Sequence, residues 1–340
     1  MKRADRSARL QAAWLKRGVV AYLLWPFSVL IGLVINLKKL CFRTHLFRSH
    51  RLSVPVVVVG NLIVGGAGKT PAVMAVVALL KDAGYRPGIV SRGYGREGDS
   101  VQDVHANTPV TQSGDEPLLL RLRCAVPVVV GRDRVAAAQT LLHAHAEVNI
   151  IVSDDGLQHH RLQRDAQVVV FDERAVGNGW LLPAGPLREP FAAPPPRSVV
   201  VYNAASATTA WHGEPVQRSL AGAVLLSDWW EGQPATLDAL NALRDRAVWA
   251  AAGMAAPQRF FEMLKFAGLQ NLKPLALRDH FDFAALPWPT DAADVIVTEK
   301  DAVKLRPDRM GATRVWVTPL NFALHPKSRA ALLALLPLPI

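Results

Sequence analysis

Short apolar runs alternate with helical stretches along most of the chain after residue 53. Runs of apolar residues bounded by turn residues predict buried strands, and they lie at 54–59, 87–91, 126–130, 149–153, 167–171 and 198–201. The patterns at 71–83 and 132–145 predict helices, and Gly84 ends the first of them. Strands that alternate with helices predict a mostly parallel sheet with helices on both faces.

A proline-rich stretch at 192–197 interrupts this alternation. Beyond it, 248–252, 295–298 and 315–318 have the pattern of strands, and 257–267 and 327–336 have that of helices. We therefore predict a second, smaller α/β domain. The predicted division is an N-terminal apolar and basic segment (1–51), a core (52–204), the smaller domain (205–325) and a C-terminal helix (326–340).

The N-terminal segment contains an uncharged apolar stretch of 20 residues, 18–37. As a helix it would be roughly 30 Å long, which matches the core of a bilayer. Trp14, Tyr22 and Trp25 suit a membrane interface, and basic residues flank both ends. We predict a membrane-associated helix with both ends on the cytoplasmic side, which Pro26 could kink. The alternative is a helix buried in the protein core.

The positive charge of the protein lies almost entirely in this segment. The 340-residue chain has a formal net charge of +11, and residues 1–51 contain eleven basic residues against one acidic residue. The rest is close to neutral, which argues against nucleic acid and favours an anionic membrane surface as the partner. Cys41 and Cys124 have no metal-ligand spacing, as expected of a protein from a reducing cytoplasm.

Residues 60–71 read GNLIVGGAGKTP and form a phosphate loop between a predicted strand and a predicted helix. Its glycines would let backbone N–H groups approach the phosphates of a nucleoside triphosphate. Ile63 stands where the strict motif has glycine, so this is the GGxGKT variant. The predicted ATP-binding residues are Ile63, Val64, Gly65, Gly66, Ala67, Gly68, Lys69 and Thr70. Lys69 would bind the β- and γ-phosphates, and Thr70 would ligate Mg²⁺.

A second motif, at 150–156, is an apolar strand that ends in Asp154 and Asp155. Carboxylates in this position beside a phosphate loop suit a Mg²⁺-nucleotide site, and either aspartate could be the ligand. Further polar clusters follow in glycine-rich or turn-like surroundings. They are SRGYGR at 91–96, GDEP at 114–117, QHH at 158–160, LLPAGPLREP at 181–190 and DHFD at 279–282.

Together these segments resemble the tetraacyldisaccharide 4′-kinases, the lipid A 4′-kinases of Gram-negative bacteria. The motifs that carry the resemblance are GNLIVGGAGKTP, SRGYGR, GDEP, DDGLQHHRLQRD, LLPAGPLREP, DHFDF and TEKD, in order from residue 60 to residue 301. The resemblance implies a P-loop NTPase-type fold and Mg²⁺-dependent transfer of the ATP γ-phosphate to the 4′-hydroxyl of tetraacyldisaccharide 1-phosphate. The product would be lipid IVA, made at the cytoplasmic face of the inner membrane.

The resemblance also implies roles for individual residues. Asp115 is expected to be the catalytic base, with His280 as its partner and Lys69 stabilising the transferred group. The remaining candidates divide into metal ligands and substrate contacts. Metal candidates are Thr70, Asp154, Asp155 and Glu189, and substrate candidates are Arg92, Gln158, His159 and Arg188. Because His280 lies in the smaller domain, we expect closure between the two units to assemble the site.

Two other classes of protein remain as alternatives at this point. One is a switch or assembly NTPase of the GGxGKT type at the membrane, although such proteins often carry a lysine where Val64 stands. A guanine-reading NKxD motif is missing as well, since Lys300 and Asp301 are adjacent. The other is a membrane-tethered binding module with a degenerate site, against which the intact Gly-Lys-Thr argues.

Overall fold

The computed structural model describes residues 13–339. Residues 1–12 of the predicted N-terminal segment, and residue 340 of the predicted C-terminal helix, lie outside the described residues. The described chain contains a large, mostly parallel sheet, a smaller mixed sheet and a short two-stranded ribbon. The predicted fold class of mostly parallel sheet flanked by helices agrees with this architecture.

Eight of the described strands form the large sheet, in the order β3-β4-β2-β5-β1-β6-β7-β8. They are β1 (Val56–Gly60), β2 (Pro87–Ser91), β3 (Gln102–Asp103), β4 (Val128–Val130), β5 (Ile150–Asp154), β6 (Ala166–Asp172), β7 (Ser198–Asn203) and β8 (Glu214–Pro215). All neighbours pair in parallel except β3 and β4. Strand β1 lies between β5 and β6, so the phosphate loop that follows it opens at the centre of the sheet.

Both faces of the large sheet are buried, which explains its continuous apolar strands. Along β1, Val57 and Val59 contribute to one apolar cluster, whereas Val56 and Val58 contribute to the other. The helices of this unit are α1 (Val19–Arg43), α2 (Lys69–Asp82), α3 (Val110–Ser113), α4 (Asp115–Cys124) and α5 (Arg134–Ala144). Helix α4 matters most for the site because Asp115 lies in its first turn.

The smaller sheet has the order β10-β14-β13-β11-β12 within the described residues. Its strands are β10 (Val224–Leu225), β11 (Val248–Ala252), β12 (Leu272–Ala276), β13 (Asp294–Thr298) and β14 (Arg314–Thr318), and β9 (Gln217–Leu220) and β15 (Leu320–Ala323) form the ribbon. The helices here are α6 (Leu226–Trp230), α7 (Leu237–Asn241), α8 (Pro257–Phe266), α9 (Glu299–Ala302) and α10 (Pro326–Ala334), with a 3₁₀ turn at Pro307–Arg309. One apolar cluster extends from α2 and α4 into this sheet, so the two units share a packed boundary.

Helix α1 lies on the outside of the protein and is not a core helix. It is long and apolar enough to cross a membrane, yet only 17% of its most apolar window is buried. Ala21, Ser28 and Gly32 form its buried face. Ser28 Oγ donates to Leu181 O over 2.7 Å and accepts from the N–H of Ala184 over 3.0 Å. A core helix would be buried on most sides, so the buried-helix alternative is wrong.

Candidate active site

Polar side chains at the ends of strands β6 and β7 hold the phosphate loop in place. Gly65 and Gly68 adopt positive φ angles of 96° and 88°. A Cβ on Gly68 would lie 2.3 Å from Asn203 Nδ2, which instead donates to Ala67 O over 3.1 Å. Arg174 donates to the carbonyls of Val64 and Gly66, both over 3.1 Å. The loop conformation is therefore fixed by the protein itself.

Lys69 is the first residue of helix α2, and its side chain reaches an asparagine and an aspartate. Its Nζ donates to Asn61 Oδ1 over 3.3 Å and lies 3.8 Å from Asp155 Oδ1. The guanidinium of Arg188 donates to both carboxylate oxygens of Asp155 over 2.8 and 2.9 Å. Gln158 Oε1 accepts a longer bond of 3.4 Å from Arg188. Thus Lys69, Asp155, Arg188 and Gln158 lie in one polar network.

Asp154 is the buried member of the acidic pair. The residue is 3% exposed; its Oδ2 accepts from Ser91 Oγ over 2.9 Å, and its Oδ1 has no hydrogen-bond partner. Burial raises the pKa of Asp154, and the nearby carboxylates of Glu116 and Asp155 add to this effect. A buried carboxylate oxygen without a partner suits a hard divalent cation.

No three His, Cys, Asp or Glu side chains among residues 13–339 converge on a metal site of their own. Mg²⁺ is usually bound by one or two carboxylates together with substrate phosphates and water. The donor set at the end of β5 and the start of α2 therefore fits Mg²⁺ on a bound nucleotide.

Asp115 and His280 meet across the boundary between the two units. His280 Nδ1 lies 2.8 Å from Asp115 Oδ2, although 165 residues separate them. Asp115 is 5% exposed, and its Oδ1 accepts from the N–H of Glu116 over 3.0 Å. His280 has a φ of 56°, in the left-handed region that is uncommon for residues other than glycine. A strained backbone thus presents this imidazole to α4.

The charges around this pair favour an ionised aspartate. Burial would raise the pKa of Asp115, but the hydrogen bond from His280 and the positive charges of Lys300 and Lys304 outweigh it, and the pKa is lowered. The hydrogen bond to Asp115 raises the pKa of His280 above its ordinary value, against burial and Lys300, which lower it. At neutral pH the carboxylate can accept a proton from a bound hydroxyl.

A cavity of about 230 Å³ connects the phosphate loop with the smaller unit. Lys69 and Thr70 line one side, and Met254, Phe260 and Met263 of the smaller unit line the other. Its wall also includes Glu116, Asp279 and Lys300, the neighbours of Asp115 and His280. The cavity therefore extends from the phosphate loop to the immediate neighbours of the Asp115–His280 pair.

The sequence matches the profile of the Tetraacyldisaccharide-1-P 4'-kinase family over residues 20–337. The chain belongs to this family. It is 54% identical over 337 residues to the Tetraacyldisaccharide 4'-kinase of Methylibium petroleiphilum, covering 97% of this chain and 94% of that protein. It is 49% identical over 340 residues to the enzyme of the same name from Leptothrix cholodnii, covering 98% and 97%.

The fold also matches a solved structure of this kinase family. The crystal structure of LpxK from Aquifex aeolicus in complex with ATP has a TM-score of 0.78 and 26% identity, and the match covers 94% of this chain and 100% of that chain. The predictions of a tetraacyldisaccharide 4′-kinase family member, of the fold class and of a kinase are therefore confirmed.

Within this kinase fold, two predicted residues lie apart from the phosphate-loop network. Glu189 forms an ion pair with Lys39 at the end of α1 and lines a cavity there with Arg164, which the phosphate loop does not reach. Its negative charge is thus balanced by a lysine, and the structure does not place it among the metal candidates. Arg92 is exposed on the turn after β2.

Two more predicted residues have their side chains partly or wholly within the protein. Ile63 is fully buried and pairs with Leu187, so only its backbone faces the loop. His159 lies 3.7 Å from Asp133, and burial, followed by the charge of Arg134, lowers the pKa of His159 to about 4. Its ring is therefore neutral at pH 7.

The sequence motifs missed several groups that support the site. Asn61 and Arg174 hold the phosphate loop, and Lys300 lies beside His280. Arg134 is 4% exposed beside the acidic pair, and its Nε has no hydrogen-bond partner. Asn61 lies in the motif GNLIVGGAGKTP and Lys300 in TEKD, so their place in these motifs could have indicated a role in the site. Arg134 and Arg174 follow strands and had no such signal.

Proposed function

We propose that this protein transfers the γ-phosphoryl group of ATP to the 4′-hydroxyl of a tetraacyldisaccharide 1-phosphate, producing lipid IVA at the cytoplasmic face of the inner membrane. One observation carries the proposal: the Asp115–His280 pair lies directly beside Glu116, Asp279 and Lys300, which line the same cavity as the phosphate loop. A switch NTPase needs the loop alone. A buried carboxylate that is hydrogen-bonded to an imidazole near the loop suits the deprotonation of an acceptor hydroxyl.

The nucleotide would occupy the cavity between the two units. Backbone N–H groups of the loop at 65–68 and the N-terminus of α2 would bind its phosphates, with Lys69 balancing their charge. The apolar side chains of Met254, Phe260 and Met263 would contact the adenine ring of the nucleotide. The related Aquifex aeolicus structure is in complex with ATP, which supports ATP as the nucleotide.

Thr70 and Asp154 would hold Mg²⁺ on the nucleotide, with Asp155 close by. The support is the partnerless Asp154 Oδ1 and the position of Thr70 in the first turn of α2. When bound, Mg²⁺ would neutralise developing charge on the phosphate oxygens. Arg188 would keep Asp155 oriented through its paired hydrogen bonds.

Asp115 would act as the base that takes the proton of the acceptor hydroxyl. The hydroxyl oxygen forms a bond to the γ-phosphorus, while the bond from that phosphorus to the β,γ-bridging oxygen breaks and ADP leaves. The proton passes to Asp115, and His280 stabilises the carboxylate before the transfer. Lys69 would stabilise the transferred group. Catalysis of this kind depends mainly on positioning and electrostatics.

The acceptor lipid would approach from the side of α1. A cavity of about 630 Å³ lies between the end of α1 and the loop at 158–161. It combines basic and aromatic side chains from α1 and beyond, including Lys38 and Phe47, with Gln158 and the neutral His159. Such a lining suits a phosphorylated sugar with acyl chains. Helix α1 exposes apolar side chains beside it and would sit in the membrane.

The proposal is tested by incubating the purified protein with [γ-³²P]ATP, Mg²⁺ and tetraacyldisaccharide 1-phosphate in detergent. We expect label in the lipid, and a Lys69→Met variant should reduce labelling by at least about 10²-fold. ATP hydrolysis without lipid labelling would contradict the kinase proposal and favour the switch or assembly NTPase.

A further inference from the structure

Lys300 occupies the side of His280 opposite to Asp115. Its Nζ lies 3.4 Å from His280 Nε2, 3.1 Å from Asp279 Oδ1 and 3.3 Å from Glu116 Oε1. The side chain is 22% exposed. Burial alone would lower the pKa of Lys300, but the carboxylates of Glu116, Asp279 and Asp115 raise it, so the ammonium group is fully charged.

The chemistry of an ammonium group fixes the role of the imidazole. Lysine has three donors and no acceptor, so a hydrogen bond between Lys300 Nζ and His280 Nε2 requires Nε2 to be the acceptor. The ring proton then resides on Nδ1, where it is donated to Asp115 Oδ2. An Nε2 that is covered in this way is not available to take a proton from substrate.

We propose that Lys300 is a positioning residue of the reaction: its ammonium group binds His280 Nε2, keeps the imidazole in the Nδ1–H form and leaves Asp115 as the base. This inference rests on the proposed kinase function. Lys300 acts through His280 and Asp115 and does not itself take part in proton transfer.

The fold holds Lys300 in this position from three sides. Thr298 caps the N-terminus of helix α9, and its hydroxyl accepts from the N–H of Asp301 over 3.3 Å. Asp301 is fully buried and accepts from the N–H of Gly253 over 3.0 Å. Glu299 pairs with Arg123 of α4 over 2.9 Å. The lysine is therefore fixed relative to both β11 and α4, unlike a lysine on a free surface.

Other charged and titratable groups face His280 as well. Asp115 and Glu116 face it from α4, and Asp279 precedes it in the same loop. Lys304, in the segment after α9, lies 4.0 Å from Asp115 Oδ2. The ring of Tyr94 packs at 5.6 Å between centroids. Of the positively charged groups named here, Lys300 is the one in direct contact with the imidazole. Removing its charge should stabilise the imidazolium form.

Three variants separate the charge of Lys300 from its hydrogen bond. Lys300→Arg keeps both, Lys300→Gln keeps a donor without charge, and Lys300→Met removes both. The control is Lys327→Met, which removes a lysine whose side chain is 77% exposed on α10. Each full-length protein is labelled with ¹⁵N-histidine in detergent, and long-range ¹H–¹⁵N spectra report the proton position of His280. Its signals are assigned with His280→Gln.

We expect the wild type and Lys300→Arg to show the Nδ1–H form. In Lys300→Met the imidazolium form, protonated on both Nδ1 and Nε2, should persist to a higher pH than in the wild type. In the Met and Gln variants the acid limb of kcat/KM should move up by about one pH unit. Turnover at pH 7 should fall about tenfold, less than the loss expected for the base itself. Lys327→Met should match the wild type in every readout.

Several outcomes would overturn the inference. One is a wild-type protein whose His280 is in the Nε2–H form. Another is a Lys300→Met protein with unchanged His280 spectra and an unchanged pH profile but a raised KM for ATP. That result would assign Lys300 to binding the phosphates. If the Met variant does not fold, the Gln and Arg variants decide by the same readouts. Expected spectra without lipid phosphorylation by the wild type would contradict the kinase proposal and not the proton position.

Discussion

The two halves of the candidate site are built in different ways. The phosphate loop follows strand β1, and Asp154 and Asp155 lie at the end of strand β5, its neighbour in the same sheet. The Asp115–His280 pair instead joins α4 of the larger unit to a loop of the smaller unit. The first half is formed by one unit alone, whereas the second exists only when the two units are docked.

This difference indicates how binding and chemistry are divided. A loop supported by Asn203 and Arg174 within the larger unit can bind phosphates before the units close. Three contacts along α4 join the two units at the proposed base, namely Asp115–His280, Glu116–Lys300 and Arg123–Glu299. Closure of the units would therefore switch on chemistry and not nucleotide binding.

The largest effect is expected from breaking the docked half alone. Asp115→Asn removes the base, so kcat for lipid phosphorylation should fall by about 10²–10⁴-fold. The affinity for ATP, measured by calorimetry, should stay within about twofold of the wild type because the phosphate loop is intact. Asp82→Asn, at a side chain 67% exposed on α2, is the control. A matching loss of ATP affinity would contradict the division.

A second change tests whether α1 serves the membrane and not the nucleotide. Leu23 and Leu30 are 70% and 61% exposed. Replacing both with Asp should weaken binding to phosphatidylethanolamine–phosphatidylglycerol vesicles, measured by sedimentation, by at least about 100-fold, since each leucine buried in the membrane contributes about 1.5–3 kcal/mol. ATP affinity should not change. Phe266→Asp, at a 96% exposed site on α8, is the matched control. Equal loss of vesicle binding in that control would argue against a specific role of α1.

A third change loosens the boundary without touching the base. Arg123→Gln leaves Glu299, whose side chain is 8% exposed, without its cationic partner. We expect about 1–3 kcal/mol lower stability by urea unfolding, because a buried charged group loses a partner. We also expect kcat/KM to fall roughly tenfold, since α4 and α9 lose alignment. Arg121→Gln on the same helix should leave the stability and kcat/KM close to those of the wild type. A similar loss in that variant would contradict a specific role of Arg123 at the boundary between the units.

The smallest effect concerns pH. The pKa of His280 is raised on folding, so the stability it contributes is present below its ordinary value of 6.5 and is lost as the pH rises through the raised pKa. The pKa of Asp115 is lowered, so its contribution is lost only as the pH falls below its ordinary value of 3.8. The melting temperature of the wild type should therefore exceed that of His280→Gln by roughly 1–3 °C more at about pH 5.5 than at about pH 9. A gap that widens toward alkaline pH would contradict this sign.

The same comparison explains what the sequence could predict. The phosphate loop and the acidic pair are local patterns at strand ends, and residue order alone brings them together. No spacing rule relates Asp115 to His280, which became neighbours in prediction only through the family resemblance. The ion-pair partners of charged side chains were harder still to predict from the sequence. Glu189 was expected near the metal, whereas in the structure its carboxylate pairs with Lys39, which lies 150 residues earlier in the chain.

Element prediction failed where the physical signal is weak. Strand β12 lies at the edge of the smaller sheet and contains a lysine, a proline and several exposed positions. Edge strands need no continuous apolar run and tolerate proline, so the pattern there did not predict a strand. The buried strands β1, β5 and β6 were located to within two residues because both their faces are covered.

The most direct test of the account is a double-variant comparison of kcat in the lipid phosphorylation assay. Asp115→Asn, His280→Gln and the double variant are measured at saturating ATP and lipid. If the pair acts as one unit, both single variants lose activity and the double variant is no slower than Asp115→Asn alone. Losses that multiply, or a His280→Gln protein as fast as the wild type, would contradict a base assembled across the two units.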